Sequence, residues 1–334
     1  MRGMLWNANE DGSVNCNVCA HGCKIKNGGQ GICGVRVNRD GELRTLVGDL
    51  VTAVNMDPVE KKPLYHFLPG TKTFSIGSAG CNFGCKFCQN HNVAAVSPKS
   101  VIPGKRVSPE SLARLAEENG APSMAFTYNE PTVYIEQVYD TAGQAKARGM
   151  KTILVTNGFF SHDALMTLSR RIDAANIDLK GMNDDFYRHY CGGRLQPVLD
   201  NLLAAKKLGW WVEVTTLLIP GVNDDPKELA KIAAFIKNDL GPETPWHISG
   251  FHGANKMINH PSTPLKTLEN AWQTGKDAGL HNVYIGNAPG LLGQNTFCPN
   301  CGQTLVERSG YSTRVLAKKG VCPKCKTQMA GVIA

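Results

Sequence analysis

The sequence has no apolar run approaching the roughly 20 residues that a membrane helix needs. Its opening stretch, MRGMLWNANEDG, also lacks the apolar core of a secretory signal. These two absences exclude a spanning helix and predict a cytoplasmic protein with no membrane partner. No internal repeat or low-complexity tract occurs, which argues against a solenoid or a linker-rich chain. Lys and Arg are scattered rather than gathered in blocks, so no polybasic tail is present.

The 334 residues are 42% hydrophobic, enough for one large domain with small appendages. A net charge of +8 suits nucleotides, nucleic acid or an acidic protein, or simply a soluble basic surface. Cysteine is abundant, at twelve residues. Disulfides are rare in a reducing cytosol, so clustered thiols point to metals or redox work. Eleven of the twelve fall into three clusters, and only Cys191 stands alone. The clusters divide the chain into a cysteine-rich segment (1–48), a central domain (49–290) and a terminal segment (291–334).

The central region alternates strand and helix patterns. Strands are expected at about 72–78, 123–128, 151–155, 174–179, 211–218, 246–249 and 283–285. A helix begins after Ser108-Pro109, with Leu112, Leu115 and Ala116 inward. The next carries Ile135, Val138, Tyr139, Ala142 and Ala145 on one face. Such repeats predict an α/β fold with a parallel sheet, a partial (β/α)6-type barrel, or else an open doubly wound sheet.

The loop after the first of these strands is Gly80-Cys81-Asn82-Phe83-Gly84-Cys85-Lys86-Phe87-Cys88. Three thiolates on one short loop suit three irons of a [4Fe–4S] cluster, leaving the fourth iron open. An open position is what a catalytic metal site keeps. A structural zinc loop is the weaker reading. Polar motifs then recur at strand ends: Asn129-Glu130-Pro131, Thr156-Asn157-Gly158, Asp178-Leu179-Lys180, Pro220 to Asp224, His247 to His252 and Gly286-Asn287. Any one of these is commonly a turn or cap. A series at the C-terminal ends of parallel strands converges on one cavity.

Cys298-x2-Cys301 and Cys322-x2-Cys325 have zinc-ribbon spacing, and four soft ligands close such a site, giving it a structural role; a rubredoxin-like iron site has the same spacing and is the alternative. Cys16, Cys19, Cys23 and Cys33, with His21 among them, suit either zinc or an auxiliary cluster; no ferredoxin-type run is present, which favours zinc. Cys191 reads equally as a catalytic substrate-side thiol and as a small buried hydrophobe.

The Cys81–Cys88 loop resembles the signature of the radical S-adenosylmethionine (SAM) superfamily. The resemblance implies that SAM chelates the open iron and is reductively cleaved to a 5′-deoxyadenosyl radical, which abstracts hydrogen from a substrate. It also implies that Phe87 lies against adenine. Charge then assigns cofactor-binding roles: Glu130 and Asn129 near the SAM ammonium, Lys180 on the carboxylate, and Asp178 at the cationic end or on a monovalent cation. Asn157 and His247 suit ribose or adenine. The order of motifs is similar to the radical SAM component of the AmmeMemoRadiSam system and to pyruvate formate-lyase activating enzymes. That likeness implies an oxidoreductase acting on a protein substrate, with flavodoxin or ferredoxin as electron donor and Memo-type and AMMECR1-type partners. Modification of a small molecule or RNA is the second reading. A non-catalytic zinc-ribbon nucleic-acid binder is the third, resting on net charge.

Overall fold

The apolar runs separated by helical patterns form one eight-stranded sheet in a computed structural model that describes residues 1–96, 101–288 and 293–333. Its strands are β1 (Ala53–Pro58), β2 (Lys72–Gly77), β3 (Ser123–Phe126), β4 (Lys151–Thr156), β5 (Ala174–Asp178), β6 (Trp211–Leu218), β7 (Trp246–Gly250) and β8 (Val283–Gly286). Each strand pairs with the next in sequence. β2 to β8 run parallel, and β1 adds antiparallel to the edge at β2. Among the described residues no pairing closes β8 onto β1, so the sheet is a partial barrel.

Six helices cross between the strands: α1 (Pro109–Glu118), α2 (Ile135–Ala147), α3 (His162–Leu168), α4 (Gln196–Lys207), α5 (Pro226–Phe235) and α6 (Leu265–Asp277). The Ser108 side chain caps α1 by accepting from Ser111 N, with Pro109 in the first turn. Leu112, Ala113 and Ala116 face inward, whereas Leu115, expected inside, is exposed. The buried stripe takes in Ala113 instead, on the opposite flank of the Leu112–Ala116 line from Leu115. On α2, Ile135, Val138, Ala142 and Ala145 are buried as the 3.6-residue period requires. Two ionisable positions also lie near this helix's inner side: Glu136 is buried, and Tyr139 is half-buried under Arg171.

The N-terminal cysteine segment is fused to the barrel rather than standing apart. Val14, Val18, Ile25, Val35 and Leu43 join the same core as the barrel helices. Arg36 pairs with Glu136 of α2 at 2.7 Å, both nearly fully buried. Glu136 also accepts from Met4 N at 2.6 Å.

The C-terminal segment has a small core of its own, with Leu305, Val306, Ala317 and Met329 around the cysteines. It docks against the stretch Tyr65 to Phe67 and against Tyr284 near the start of β8. Arg308 donates to Tyr65 O at 2.7 Å, and His66 bonds Ala330 O at 2.7 Å. Glu213, third residue of β6, accepts from the backbone N–H groups of Tyr65 and His66. The terminal segment therefore sits at the end of the sheet opposite the strand-end motifs. The expected domain boundary at 290/291 lies outside the described residues.

Candidate active site

A cavity opens at the C-terminal ends of the parallel strands. Its walls include the thiol-bearing Cys81, Cys85 and Cys88 on one side. The lining also includes Thr156 and Asn157 at the end of β4, Asp178 and Lys180 at the end of β5, Thr215 and Leu217 of β6, Ser249 of β7 and Asn287 after β8. Asn129 and Glu130, after β3, complete the wall. Parallel strands deliver all these residues to one end of the sheet because each loop leaves in the same direction.

The cysteine loop is held by neighbours far away in sequence. Asn129 Oδ1 accepts from Ser78 N at 3.0 Å, and Asn129 Nδ2 donates to Gly80 O at 2.7 Å. The backbone fixes which end of this amide is which, since an N–H only donates and a carbonyl only accepts. Both ends of the Asn129 amide thus brace the backbone just before Cys81. Asn82 accepts from Asn157 Nδ2 at 2.7 Å and donates to Phe159 O at 3.3 Å. From the other side, Gly84 N donates to Cys191 O and Lys86 N to Tyr190 O, at 2.8 and 2.9 Å. Gly80 has φ +85°, and a Cβ there would lie 2.8 Å from Cys33 O. Only glycine accepts both that conformation and that approach.

Glu130 is buried and accepts four hydrogen bonds. Thr156 Oγ1 and Asn157 N donate at 2.8 Å, Thr132 N at 3.1 Å, and Thr132 Oγ1 completes the set. Burial pushes its carboxyl above the ordinary range, against the pull of those bonds. Lys180 pairs with Asp178 at 2.7 Å, and its ammonium stands 5.8 Å from the Phe87 ring centroid. Burial would lower the Lys180 ammonium, but Asp178 and the thiols of Cys85 and Cys191 outweigh it and raise it well above its usual value. The result is a cavity lined by a buried carboxyl group and a carboxylate–ammonium pair.

Two site candidates do not line this cavity. His247 Nε2 donates to Glu213 at 2.6 Å, with its ring against Tyr65 and Tyr284. Glu213 shares the inner face of β6 with Thr215 and Leu217 but lies deeper, toward the docked C-terminal segment. Cys191 is fully buried in a helical turn, Tyr187–Cys191, and its thiol neighbours Cys85. Conversely, Asn82 and Tyr187 escape a reading by motif. Asn82 sits inside the cysteine loop and looks like a turn residue, while Tyr187 OH accepts from Lys180 N at 3.0 Å across a loop.

The residues present fit an iron–sulfur cluster at Cys81, Cys85 and Cys88. Cys81 Sγ already receives N–H groups from Phe83 at 3.4 Å and from Asn157 Nδ2 at 3.9 Å. Lys180 adds positive charge beside Cys85. Donors and cations around the sulfurs are what a bound thiolate requires. At the other end of the sheet, Cys298 Sγ lies 3.5 Å from Cys325 Sγ, and Cys301 Sγ lies 3.7 Å from Cys322 Sγ. All four ribbon sulfurs fall within 4.8 Å of one another, close enough to share one metal ion. No helix among the described residues is long and apolar enough to cross a membrane.

Comparison with known proteins agrees with this geometry. The uncharacterized protein MJ0808 of Methanocaldococcus jannaschii is 42% identical over 323 residues, covering 97% of this chain and 96% of that one. The pyruvate formate-lyase-activating enzyme of Clostridium pasteurianum is 23% identical over 200 residues, 57% of this chain and 81% of that one. The crystal structure of Streptococcus suis SuiB bound to S-adenosylmethionine shares the fold, with TM-score 0.51 and 13% identity. That match covers 66% of this chain and 52% of SuiB. The sequence profile of the radical SAM superfamily matches residues 75–233, which run from β2 through the cysteine loop to α5. With cysteine loop, partial barrel and relatives in agreement, the chain belongs to the radical SAM superfamily, as an enzyme of that class.

Proposed function

We propose that this enzyme draws a hydrogen atom from a polypeptide, in the manner of an activating enzyme. When bound at Cys81, Cys85 and Cys88, a [4Fe–4S] cluster supplies the electron that splits SAM into methionine and a 5′-deoxyadenosyl radical. The protein's own residues position the reactants. Glu130, its carboxylate fixed by donors from Thr132, Thr156 and Asn157, supplies the negative charge on the side of the SAM ammonium. Lys180, held by Asp178, faces the methionyl carboxylate, and Phe87 beneath it offers a ring face to adenine.

The observation that carries the polypeptide reading is the exposure of the cluster loop. Gly84, Lys86, Gln89 and Asn90 are exposed around the half-buried Cys85 and Cys88. A reacting centre at an open rim is reachable by an extended protein segment. Similarity to an enzyme that activates pyruvate formate-lyase supports the same class of substrate. A one-electron donor of the flavodoxin or ferredoxin type would supply the reductant, Memo-type and AMMECR1-type proteins would be its partners, and the ribbon would hold zinc.

The test uses deuterated cell extract split into protein and small-molecule fractions, each incubated anaerobically with the enzyme, SAM and dithionite. Mass spectrometry of 5′-deoxyadenosine should show deuterium gained from the protein fraction. Deuterium arriving only from the small-molecule fraction would overturn the polypeptide assignment.

A further inference from the structure

The three cysteine groups differ in how tightly their thiols gather. A tetrahedral zinc with Zn–S about 2.3 Å holds its sulfurs roughly 3.8 Å apart. The ribbon pairs at 3.5 and 3.7 Å match that spacing. Among the described residues the ribbon is the only group of three or more ligating side chains drawn together so closely. Cys81, Cys85 and Cys88 are not, in keeping with thiols that each serve a different iron. Cys16, Cys19, Cys23 and Cys33 share that looser arrangement.

They nevertheless surround one place. Cys16 N donates to Cys23 O at 2.9 Å, which joins two of the ligand-bearing turns. A Cβ built on Gly31 would lie 3.8 Å from Cys23 Sγ, so the loop before Cys33 closes over the Cys23 thiol. Cys16, Cys23 and Cys33 are all neighbours of the Cys19 thiol. Cys16 and Cys33 are buried, while Cys19 and Cys23 are half-buried.

A buried donor faces the same place. Four contacts occupy the terminal nitrogens of Arg36: Val133 O, Met4 O and both Glu136 oxygens. Its Nε–H makes no well-aligned hydrogen bond, although the residue is only 1% exposed and the Cys16 side chain stands within reach of the guanidinium. The guanidinium lies beside the Cys16 and Cys33 side chains. A buried, positively charged N–H beside two thiols is satisfied best by an anionic sulfur acceptor.

The group also abuts the main cysteine loop. Cys33 O would lie 2.8 Å from a Cβ on Gly80, the residue before Cys81. His21 Nε2 bonds Asn82 O at 2.7 Å, and Ala20 N donates to Phe159 O at 3.1 Å.

We propose that Cys16, Cys19, Cys23 and Cys33 hold a second [4Fe–4S] cluster, ligated at all four irons, with Arg36 Nε–H donating to its sulfur. With every iron ligated by protein, this centre has no vacancy for SAM, so its chemistry is electron exchange. Its half-buried face at Cys19 and Cys23 is open to an outside one-electron donor, and its buried face at Cys33 abuts the loop of Cys81. The inference is independent of the substrate.

Full-length protein and the triple variant Cys81→Ala, Cys85→Ala, Cys88→Ala are reconstituted anaerobically with ferrous iron and sulfide. Iron, sulfide and zinc are then counted, and electron paramagnetic resonance spectra are taken after dithionite with and without SAM. The proposal expects about eight irons per chain in the parent and about four in the triple variant. The triple variant should give a reduced-cluster signal that SAM leaves unchanged. Adding Cys23→Ser, at a half-buried position, should remove that remaining iron while the melting transition persists. About four irons in the parent with a second zinc per chain would overturn the proposal. Failure of SAM to alter the parent signal would instead count against the main site, so the two readings fail separately.

Discussion

Replacing Asn129 by leucine separates a brace for the cysteine loop from a direct SAM contact. The side chains have similar volume, so packing changes little, but both amide hydrogen bonds vanish. Ser78 N–H and Gly80 C=O are then left without partners in a buried place. Each unmet group costs about 1–3 kcal/mol, so the loss is about 2–6 kcal/mol, concentrated on the backbone before Cys81. That is enough to let the loop leave the geometry that presents three thiols together. Anaerobic reconstitution of Asn129→Leu should give less iron at the main loop than the parent, and the urea midpoint should fall. Full iron loading with an unchanged midpoint, and a defect confined to SAM affinity, would refute this reasoning and make Asn129 a ligand of SAM.

Three further outcomes are expected. Cys298→Ser should lose the ribbon metal, measured by plasma mass spectrometry, and destabilise the docked C-terminal segment by more than about 4 kcal/mol. Iron at the main loop and SAM cleavage without substrate should persist, because the ribbon lies at the opposite end of the sheet. Lys180→Met leaves Asp178 without its cation and should weaken SAM binding about 10-fold or more by calorimetry, with iron content unchanged. Stability should also depend on His66. Burial pushes it down to about 4, between Ala330 O and Tyr284 OH and near Glu213, Arg308 and His247. The unfolded chain binds a proton near pH 6.5 and the folded one only near 4, so this stability is full above 6.5 and lost as pH falls toward 4. The span is worth about 3 kcal/mol, and His66→Gln should flatten the melting temperature over that range.

Much of this architecture is legible in the chain because its signals are local. Strand and helix periods place Thr156, Asp178 and Asn287 at strand ends, and parallel connections carry those ends to one cavity. The Cys81–Cys88 spacing is likewise contained in one loop. What stays hidden depends on partners far apart in sequence. Arg36 and Glu136 are 100 residues apart, and nothing in either segment announces a buried ion pair. Asn129 carries a motif that suggests ligand contact, yet its amide is occupied by backbone groups about 50 residues earlier. His247 follows a strand pattern correctly, but at the start of β7 rather than its end, which places it beside Glu213 and away from the thiols. Leu115 shows the limit of periodicity: the buried stripe of its helix takes in Ala113 instead and leaves Leu115 outward.

The central claim is that the thiols of Cys81, Cys85 and Cys88 support reductive cleavage of SAM. The most direct measurement is anaerobic production of 5′-deoxyadenosine from SAM and dithionite, quantified by liquid chromatography. The parent protein should form it in step with the iron content of the main loop, and the triple variant Cys81→Ala, Cys85→Ala, Cys88→Ala should form none. A triple variant that makes 5′-deoxyadenosine at the parent's rate would contradict the account.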